Sequence, residues 1–293
     1  MSRVKLDPAA AYGRHPPQPH QLIDRVTPTE QTIVLCHLGV PRIDPDDWSL
    51  SIDGLMRRPM RLTLGDLMRR PRIEITSIHQ CCGSPLKPRM PTRRICNVVW
   101  SGVRLSEFLA DCGPDPRPDI WSGGADHGVF EGDSCEAFVK DLPLERVAAD
   151  ALIAYEMNGA PLRPEHGYPA RLVVPDYYGT NSVKWLTRLS LDETRATGPF
   201  TTRWYNDPIL DAAGRPTGRT TPVGPIAPDS AIVSPAPDQT LAAGEDVAVL
   251  GRRRCSRRRC ERRLRVYAGE PPAGRAWQRF IPLGVPSTAA VTS

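Results

Sequence analysis

The residues with the most reactive side chains in this 293-residue chain are the adjacent thiols of Cys81 and Cys82, in the segment 78–84 (IHQCCGS). A thiolate is a soft ligand that suits a transition metal, and metal binding removes the thiol proton. Most cysteines of a folded chain are instead small buried residues, and the tetrapeptide 81–84 alone favours that alternative. A redox disulfide between the two is disfavoured, because adjacent cysteines form only strained bridges.

A second set of polar residues lies further along the chain. His166 and Arg171 lie in the segment HGYPAR, Lys184 follows Arg171 by thirteen residues, and Tyr205 follows Lys184 by twenty-one. Basic side chains donate hydrogen bonds and positive charge, which an anionic group requires. A phenol can hydrogen-bond an oxyanion and relay a proton. Taken singly, the basic residues could be solvated and the tyrosine a half-buried packing residue.

The elements that must position these residues are short. Alternating apolar residues predict strands over 48–54, 60–64 and 73–77, and the last of these leads into Cys81. Apolar residues at 105, 108, 109 and 112, followed by Gly113, predict a helix. Further strands are expected over 151–157, 171–174 and 183–191. Short strands with brief helices predict an α+β domain.

The net charge of +5 is unevenly distributed along the chain. Segment 252–265 holds nine arginines and one glutamate, a local +8, so the remaining residues sum to 5 − 8 = −3. The mildly acidic body does not indicate a nucleic-acid partner. Apolar runs are too short to cross a membrane, and the first residues show neither a secretory signal nor twin arginines. We therefore expect no membrane association and a cytoplasmic protein whose thiols stay reduced.

Five further segments accompany the cysteine motif: WSGVRL from residue 100, YEMNG from 155, HGYPAR from 166, VKWL from 183 and RWY from 203. Together with the cysteine motif they resemble the molybdopterin-binding domain of the sulfite oxidase family. The resemblance covers roughly residues 27–205, with a weaker tail to about 250.

The resemblance implies a role for individual residues. Cys81 takes the place of the metal ligand and Tyr205 that of the active-site tyrosine, so both are predicted to be catalytic. The residues predicted to bind the cofactor are His37, Asp133, His166, Arg171, Ser182, Val183 and Lys184. Asp133 is the weakest match, because the loop around it is shorter than in the family.

The resemblance implies a molybdopterin cofactor carrying molybdenum and oxygen-atom transfer to or from a small sulfur or nitrogen oxide. No haem-binding segment is visible, so a separate electron-transfer protein is expected. The alternative is a cofactor-binding pseudoenzyme or interaction module without turnover. A thiol redox protein using Cys81 and Cys82 is the less favoured second alternative.

Two departures from the family concern the substrate. The family's sulfite and nitrate enzymes have an arginine two residues before the histidine at 37 and another five residues after the ligand cysteine; here these positions hold Leu35 and Leu86. Tetrahedral anions need cationic donors. Sulfite is therefore a doubtful substrate, and the expected substrate is a small oxyanion or a sulfoxide.

The predicted organisation is an extended arm over 1–26, the molybdopterin-binding domain over 27–205, and a truncated immunoglobulin-like β-sandwich over 206–293 that forms a homodimer. About forty residues after 251 are too few to complete a sandwich of ~100 residues. The arginine segment 252–265 shows no strand period. It is expected to be a solvated tail, a surface for anions or nucleic acid, or a segment out of register with its ancestor.

Overall fold

The computed structural model describes residues 3–4, 17–84, 93–115, 118–237, 239–242, 247–254 and 260–266. Its strands in chain order are β1 (Arg3–Val4), β2 (Val40–Pro41), β3 (Ser49–Gly54), β4 (Met60–Thr63), β5 (Ile73–Gln80), β6 (Ile95–Arg104), β7 (Asp119–Gly124), β8 (Gly128–Phe130), β9 (Asp133–Cys135), β10 (Val139–Pro143), β11 (Leu152–Met157), β12 (Ala160–Pro161), β13 (Arg171–Val173), β14 (Leu186–Asp192), β15 (Asn206–Leu210), β16 (Pro216–Pro222), β17 (Asp229–Ser234), β18 (Val247–Arg254) and β19 (Cys260–Val266). The helices are α1 (Leu64–Met68), α2 (Leu105–Cys112), α3 (Leu144–Asp150) and α4 (Pro199–Thr202).

A mixed five-stranded sheet forms one layer, in the order β10-β7-β14-β3-β4. Strands β14 and β3 run parallel, and the other neighbours run antiparallel. Leu50 and Ile52 of β3 are fully buried, while their neighbours Ser49 and Ser51 are only partly buried. The predicted alternation is therefore confirmed, and it directs one face of β3 into the core.

The second layer is antiparallel, in the order β12-β11-β6-β5, with β13 also paired to β11. Its close packing depends on Gly102 of β6, where a Cβ atom would lie 2.1 Å from the Ile153 carbonyl oxygen. Strand β11 is buried on both faces, as its continuous apolar sequence predicts. Strand β5 pairs with β6 along its whole length and delivers the chain to Cys81.

The main core lies between these two layers and includes α1, α2 and α3. Helix α2 buries the four predicted apolar residues, Leu105, Phe108, Leu109 and Cys112. It ends at Gly113, which has a φ of 60° and supplies the left-handed cap. Burial of each large side chain contributes about 1.5–3 kcal/mol. The expected α+β architecture is confirmed at this level.

The C-terminal part forms a β15–β16 hairpin and an antiparallel β17-β18-β19 sheet. A sandwich needs two sheets packed face to face, and the truncated immunoglobulin-like sandwich is not confirmed by the described residues. Within segment 252–265, residues 252–254 and 260–265 lie in strands β18 and β19. Their backbone pairing, such as Arg252 with Glu261, defines the strands without apolar alternation.

Packing onto the first domain continues beyond residue 205. Val223 and Ile226 are buried, and the Ile226 amide donates to the Asp176 carbonyl at 2.9 Å. At the other end, the described arm residues 17–26 contact β6, where Asn97 Nδ2 donates to the Arg25 carbonyl at 2.6 Å. Within the described ranges, no helix is both long and apolar enough to span a membrane.

Candidate functional site

A cavity with about 870 Å³ of unoccupied space, partly open to solvent, gathers nearly all the predicted site residues. The predicted residues that line it are Cys81, His37, His166, Arg171, Ser182, Val183, Lys184 and Tyr205. They come from segments far apart in sequence, so the fold assembles the cavity.

Cys81 lies directly after β5, where its amide donates to the Arg94 carbonyl at 3.0 Å. A hydrogen bond from the Cys82 thiol, helped by the Gly83 backbone and the charge of Arg94, lowers the pKa of Cys81 against the opposing effect of burial. The same interaction, together with burial, raises the pKa of Cys82. Cys81 is thus the sulfur that ionises first, and the thiolate is the form that binds metal.

Arg171 begins β13 and is only 3% exposed. Its guanidinium donates to the His166 carbonyl through Nη1 at 3.0 Å and to the Ser182 carbonyl through Nη2 at 2.8 Å. It also lies 4.8 Å from the centre of the Trp100 ring. Burial lowers its pKa to about 10, so it remains charged at neutral pH. These contacts fix a cation in the cavity wall.

Lys184 is held by three acceptors. Its Nζ donates to the Leu35 carbonyl at 2.9 Å, the Cys36 Sγ at 2.9 Å and the Glu165 carbonyl at 3.0 Å. The ammonium therefore ties the loop before His37 to the turn before His166, and it fixes a second cation in the wall.

Gly167 allows the two cationic residues to approach each other. Its φ is 107°, and a Cβ atom there would lie 3.1 Å from the Cβ atoms of both Arg171 and Lys184. His166, the preceding residue, is 4% exposed and its Nε2 lies 3.1 Å from Thr32 Oγ1. Because that hydroxyl donates its single proton to the Thr29 carbonyl, His166 Nε2 must carry a proton and donate to it.

His37 Nε2 and the Tyr205 hydroxyl form a hydrogen bond. The His37 ring lies among aromatic rings, with centroid distances of 4.4 Å to Phe130 and 5.5 Å to Phe200. Burial, with a smaller effect of the Lys184 charge, lowers the pKa of His37 to about 4. The imidazole is therefore neutral at physiological pH and can either accept from or donate to the phenol. Tyr205 has a φ of 60°, a strained value for a bulky residue.

Asp133, the weakest of the predicted cofactor residues, does not line the cavity. It lies in β9, and its carboxylate pairs with Arg203 at 2.6 Å. The cavity wall instead contains Asp126, a 4% exposed residue in the turn after β7. The sequence carried no signal for Asp126, because a lone aspartate after a strand is common.

His79, Trp100 and Thr180 are further lining residues that sequence reasoning missed. His79 could have been found, because a two-residue strand period places it on the same face as Cys81. Its Nε2 lies 3.5 Å from Arg171 Nη2. Gly179 packs so closely that a Cβ atom there would lie 2.8 Å from the same nitrogen.

The residues present fit a molybdopterin. The buried Trp100 Nε1 and Thr180 Oγ1 line the cavity and have no hydrogen-bond partner among the described residues, and buried polar atoms are normally satisfied. Two fixed cations, Arg171 and Lys184, suit a terminal phosphate. An ionisable thiol, Cys81, suits the metal. Charge, hydrogen-bonding capacity and soft ligand are thus combined in one cavity.

Comparison with known proteins agrees with this chemistry. The family model described as "oxidoreductase molybdopterin binding domain" matches residues 37–200. Human mitochondrial sulfite oxidase is 30% identical over 262 residues, covering 83% of this chain and 47% of that protein. Barley nitrate reductase [NAD(P)H] is 30% identical over 213 residues, covering 64% of this chain and 23% of that protein.

A solved structure shows a related fold. The crystal structure of the sulfane dehydrogenase SoxCD from Paracoccus pantotrophus superposes with a TM-score of 0.68 at 29% identity, covering 80% of this chain and 60% of that chain. The chain spans about half the length of the sulfite oxidase that it matches. The family model covers more than half of the present chain, so the chain belongs to the sulfite oxidase family of oxidoreductases with a molybdopterin-binding domain.

Proposed function

We propose that this protein is a molybdenum-cofactor oxidoreductase that transfers an oxygen atom to or from a small sulfur or nitrogen oxide. The observation that carries the proposal is the ionisable Cys81 thiol in the wall of a cavity that also contains the buried cations Arg171 and Lys184. Family membership supports the same cofactor. When bound, the cofactor supplies the metal redox change and the transferable oxygen, as cofactors generally carry the difficult chemistry.

The contacts in the cavity support the cofactor-binding roles that we propose. Cys81 provides the protein ligand to the metal, and Arg171 and Lys184 neutralise the anionic part of the pterin. His166, Ser182 and Val183 complete the wall around it. Asp133 stays a prediction without support from the cavity geometry, and Asp126 is the better-placed carboxylate.

The His37–Tyr205 pair is the proton-handling part of the site. The neutral imidazole can donate Nε2–H to the phenol oxygen, which leaves the phenol O–H to donate to a substrate oxygen. In the other tautomer, the imidazole accepts a hydrogen bond from the phenol. The pair can thus direct the phenol proton either to a substrate oxygen or to His37 while the histidine stays neutral.

We also propose a small oxyanion or sulfoxide as substrate, a separate electron-transfer protein as partner, a homodimer and a cytoplasmic location. The kind of enzyme found among the relatives supports the substrate class and the electron-transfer partner. This support is limited to the class, since the chain covers about half of the length of the sulfite oxidase. The homodimer and the location rest on sequence expectations.

The test uses the matched pair Cys81→Ser and Cys82→Ser, produced in a host that makes the cofactor. Wild type and Cys82→Ser should contain near-stoichiometric molybdenum by elemental analysis, and Cys81→Ser should lose it along with thiolate-to-metal absorption. Equal metal content in the two variants would contradict the assignment of Cys81. Metal without turnover on any sulfur or nitrogen oxide would indicate the pseudoenzyme alternative instead.

A further inference from the structure

Lys140 is a fully buried lysine with no role in the site described so far. It lies in β10 and is 1% exposed. Its Nζ donates to the Phe200 carbonyl oxygen at 2.9 Å and lies 5.7 Å from the centre of the Tyr205 ring. Lys140 does not line the cavity, but Tyr205 does. The ammonium therefore lies near the ring of a cavity residue without lining the cavity itself.

Lys140 forms no ion pair with a carboxylate of the described residues, and the charge of the adjacent Asp141 opposes the effect of burial on its pKa without cancelling it. The adjacent Asp141 is engaged elsewhere, since its two oxygens accept from Arg195 Nε and Nη2 at 2.9 Å each and from the Ala196 amide at 3.1 Å. Buried lysines are costly and are normally paired. Burial lowers the pKa of Lys140 only to about 8, so it is mainly charged at neutral pH.

A cation near the face of a phenol has two effects. It is attracted to the ring, and it polarises the O–H group so that the phenol donates a stronger hydrogen bond to an anion. Its field also extends into the cavity, where low dielectric weakens screening. Both effects favour a negatively charged substrate oxygen next to the Tyr205 hydroxyl.

A neighbouring position in the cavity wall is uncharged. Position 35, two residues before His37, holds a leucine that lines the cavity. The side chain of Leu35 offers no charge to an anion, so an anionic substrate would depend on cations elsewhere around the cavity. Lys140 is a buried cation on the Tyr205 side.

We propose that Lys140 is a positioning residue that acts through Tyr205 and makes this end of the cavity select an anionic oxide, such as sulfite, over a neutral sulfoxide. This inference rests on the proposed function and names its substrate class. The competing explanation is purely structural, with Lys140 serving only to anchor the Phe200 carbonyl.

The test replaces the charge and keeps the buried volume. Lys140→Gln retains a donor for the Phe200 carbonyl, and Lys140→Met is a second neutral variant in case the first does not fold. In the loaded enzyme, the KM for sulfite should rise about ten-fold with a smaller change in kcat, as expected for loss of one nearby charge. The kinetic constants for dimethyl sulfoxide should not change.

Binding of sulfate, an unreactive oxyanion, gives a readout that does not need turnover. Calorimetric titration should show that sulfate binds about ten-fold more weakly to Lys140→Gln than to wild type. Thr201→Val is the matched control, because it removes the hydrogen bond from Thr201 Oγ1 to the Val139 carbonyl (3.4 Å) at the same junction of β10 and α4 without changing charge. Its sulfate affinity should equal that of wild type.

A double-mutant cycle tests whether Lys140 acts through the phenol. In a Tyr205→Phe background, Lys140→Gln should change sulfate affinity by less than about two-fold, because coupled residues are non-additive. Additive losses, no loss in either neutral variant, or an equal loss in Thr201→Val would overturn the inference, as would a wild type that does not bind sulfate. Absence of molybdenum from wild type would overturn the proposed function separately.

Discussion

His37 shows how burial prepares a single residue for chemistry. A histidine that is neutral well below physiological pH keeps its hydrogen bond to Tyr205 free of net charge. The neighbouring Lys184 charge adds to this effect, so the lysine that we propose to bind the cofactor also acts on the His37–Tyr205 pair. The charge of Lys184 therefore affects the hydrogen bond between His37 and Tyr205, although Lys184 lies more than a hundred positions after His37 in the sequence.

The lowered pKa of His37 predicts a pH dependence of stability. The unfolded chain takes up a proton near pH 6.5 and the folded chain only near pH 4, so the unfolded state binds more protons between these values. Stability should fall as the pH drops from about 6.5 to 4, by up to roughly 3 kcal/mol from this residue. Above pH 6.5 the residue should contribute no pH dependence.

Chemical denaturation of wild type and His37→Asn across pH 4–7 measures this effect. The variant lacks the titrating group, so its free energy of unfolding should decline less steeply with acid. Parallel curves for the two proteins would show that other groups govern acid sensitivity.

Site residues were predictable from sequence where a segment keeps both its residue types and its spacing. The HGYPAR segment placed His166 and Arg171 correctly in the cavity wall, and Lys184 and Tyr205 followed at fixed spacing. Asp133, which the sequence matched less well, does not line the cavity and stays a prediction. Lys140 was not predictable, since nothing in a strand sequence shows which lysine will be buried near a tyrosine ring.

At the scale of elements, the turn between β12 and β13 determines how close the two cations come. The turn contains Gly167, whose positive φ and lack of a side chain leave room for Arg171 and Lys184. The spacing of Arg171 and Lys184 thus depends on the backbone conformation of Gly167 and on its lack of a side chain.

Gly167→Ala should therefore lower cofactor content, because the added methyl group forces Arg171 and Lys184 apart. Gly159→Ala is the control: it also has a positive φ, 78°, but nothing lies within 4 Å of the added Cβ. Both variants should lose about 1 kcal/mol of stability from backbone strain. Only Gly167→Ala should fall below half of the wild-type molybdenum content.

Thermal unfolding of the two alanine variants measures the backbone strain that both share. Elemental analysis measures the effect of the steric contact that only Gly167→Ala introduces. Equal molybdenum content in both would show that the spacing of the two cations does not control cofactor binding.

The strands were more predictable than their assembly. Alternation in β3 and β5 and the four-residue apolar set of α2 each determined one buried face, because a local period is visible in a short segment. The pairing of β14 in parallel with β3 joins residues far apart in sequence, and no local pattern specifies it. Strands β18 and β19 pair through their backbones, but their many arginines leave no alternation of apolar residues from which a strand could be predicted.

At the scale of the whole molecule, the C-terminal sheet lies outside the cavity wall. The predicted site residues that line the cavity lie between 37 and 205, whereas β17 packs against residues 19–21 of the arm. The last described strands pair with one another in the β17-β18-β19 sheet.

A chain ending at Pro228 should therefore keep the molybdenum content of the full chain. We further expect it to sediment as a monomer and the full chain as a dimer, since residues 206–293 are the proposed dimerisation segment. Analytical ultracentrifugation of both forms measures this. A full-length monomer would contradict the dimer, and loss of metal from the shorter chain would show that the C-terminal sheet supports the site.

The hydrogen bond between His37 and Tyr205 joins residues 168 positions apart in the sequence. Such long-range closure is slow relative to local folding. During synthesis on the ribosome, both ends of this link are available only after Tyr205 has emerged, long after the Cys81 thiol. The metal-bearing pterin can therefore find its finished binding pocket only late in translation or after release, and early-emerging cysteines must stay reduced until then.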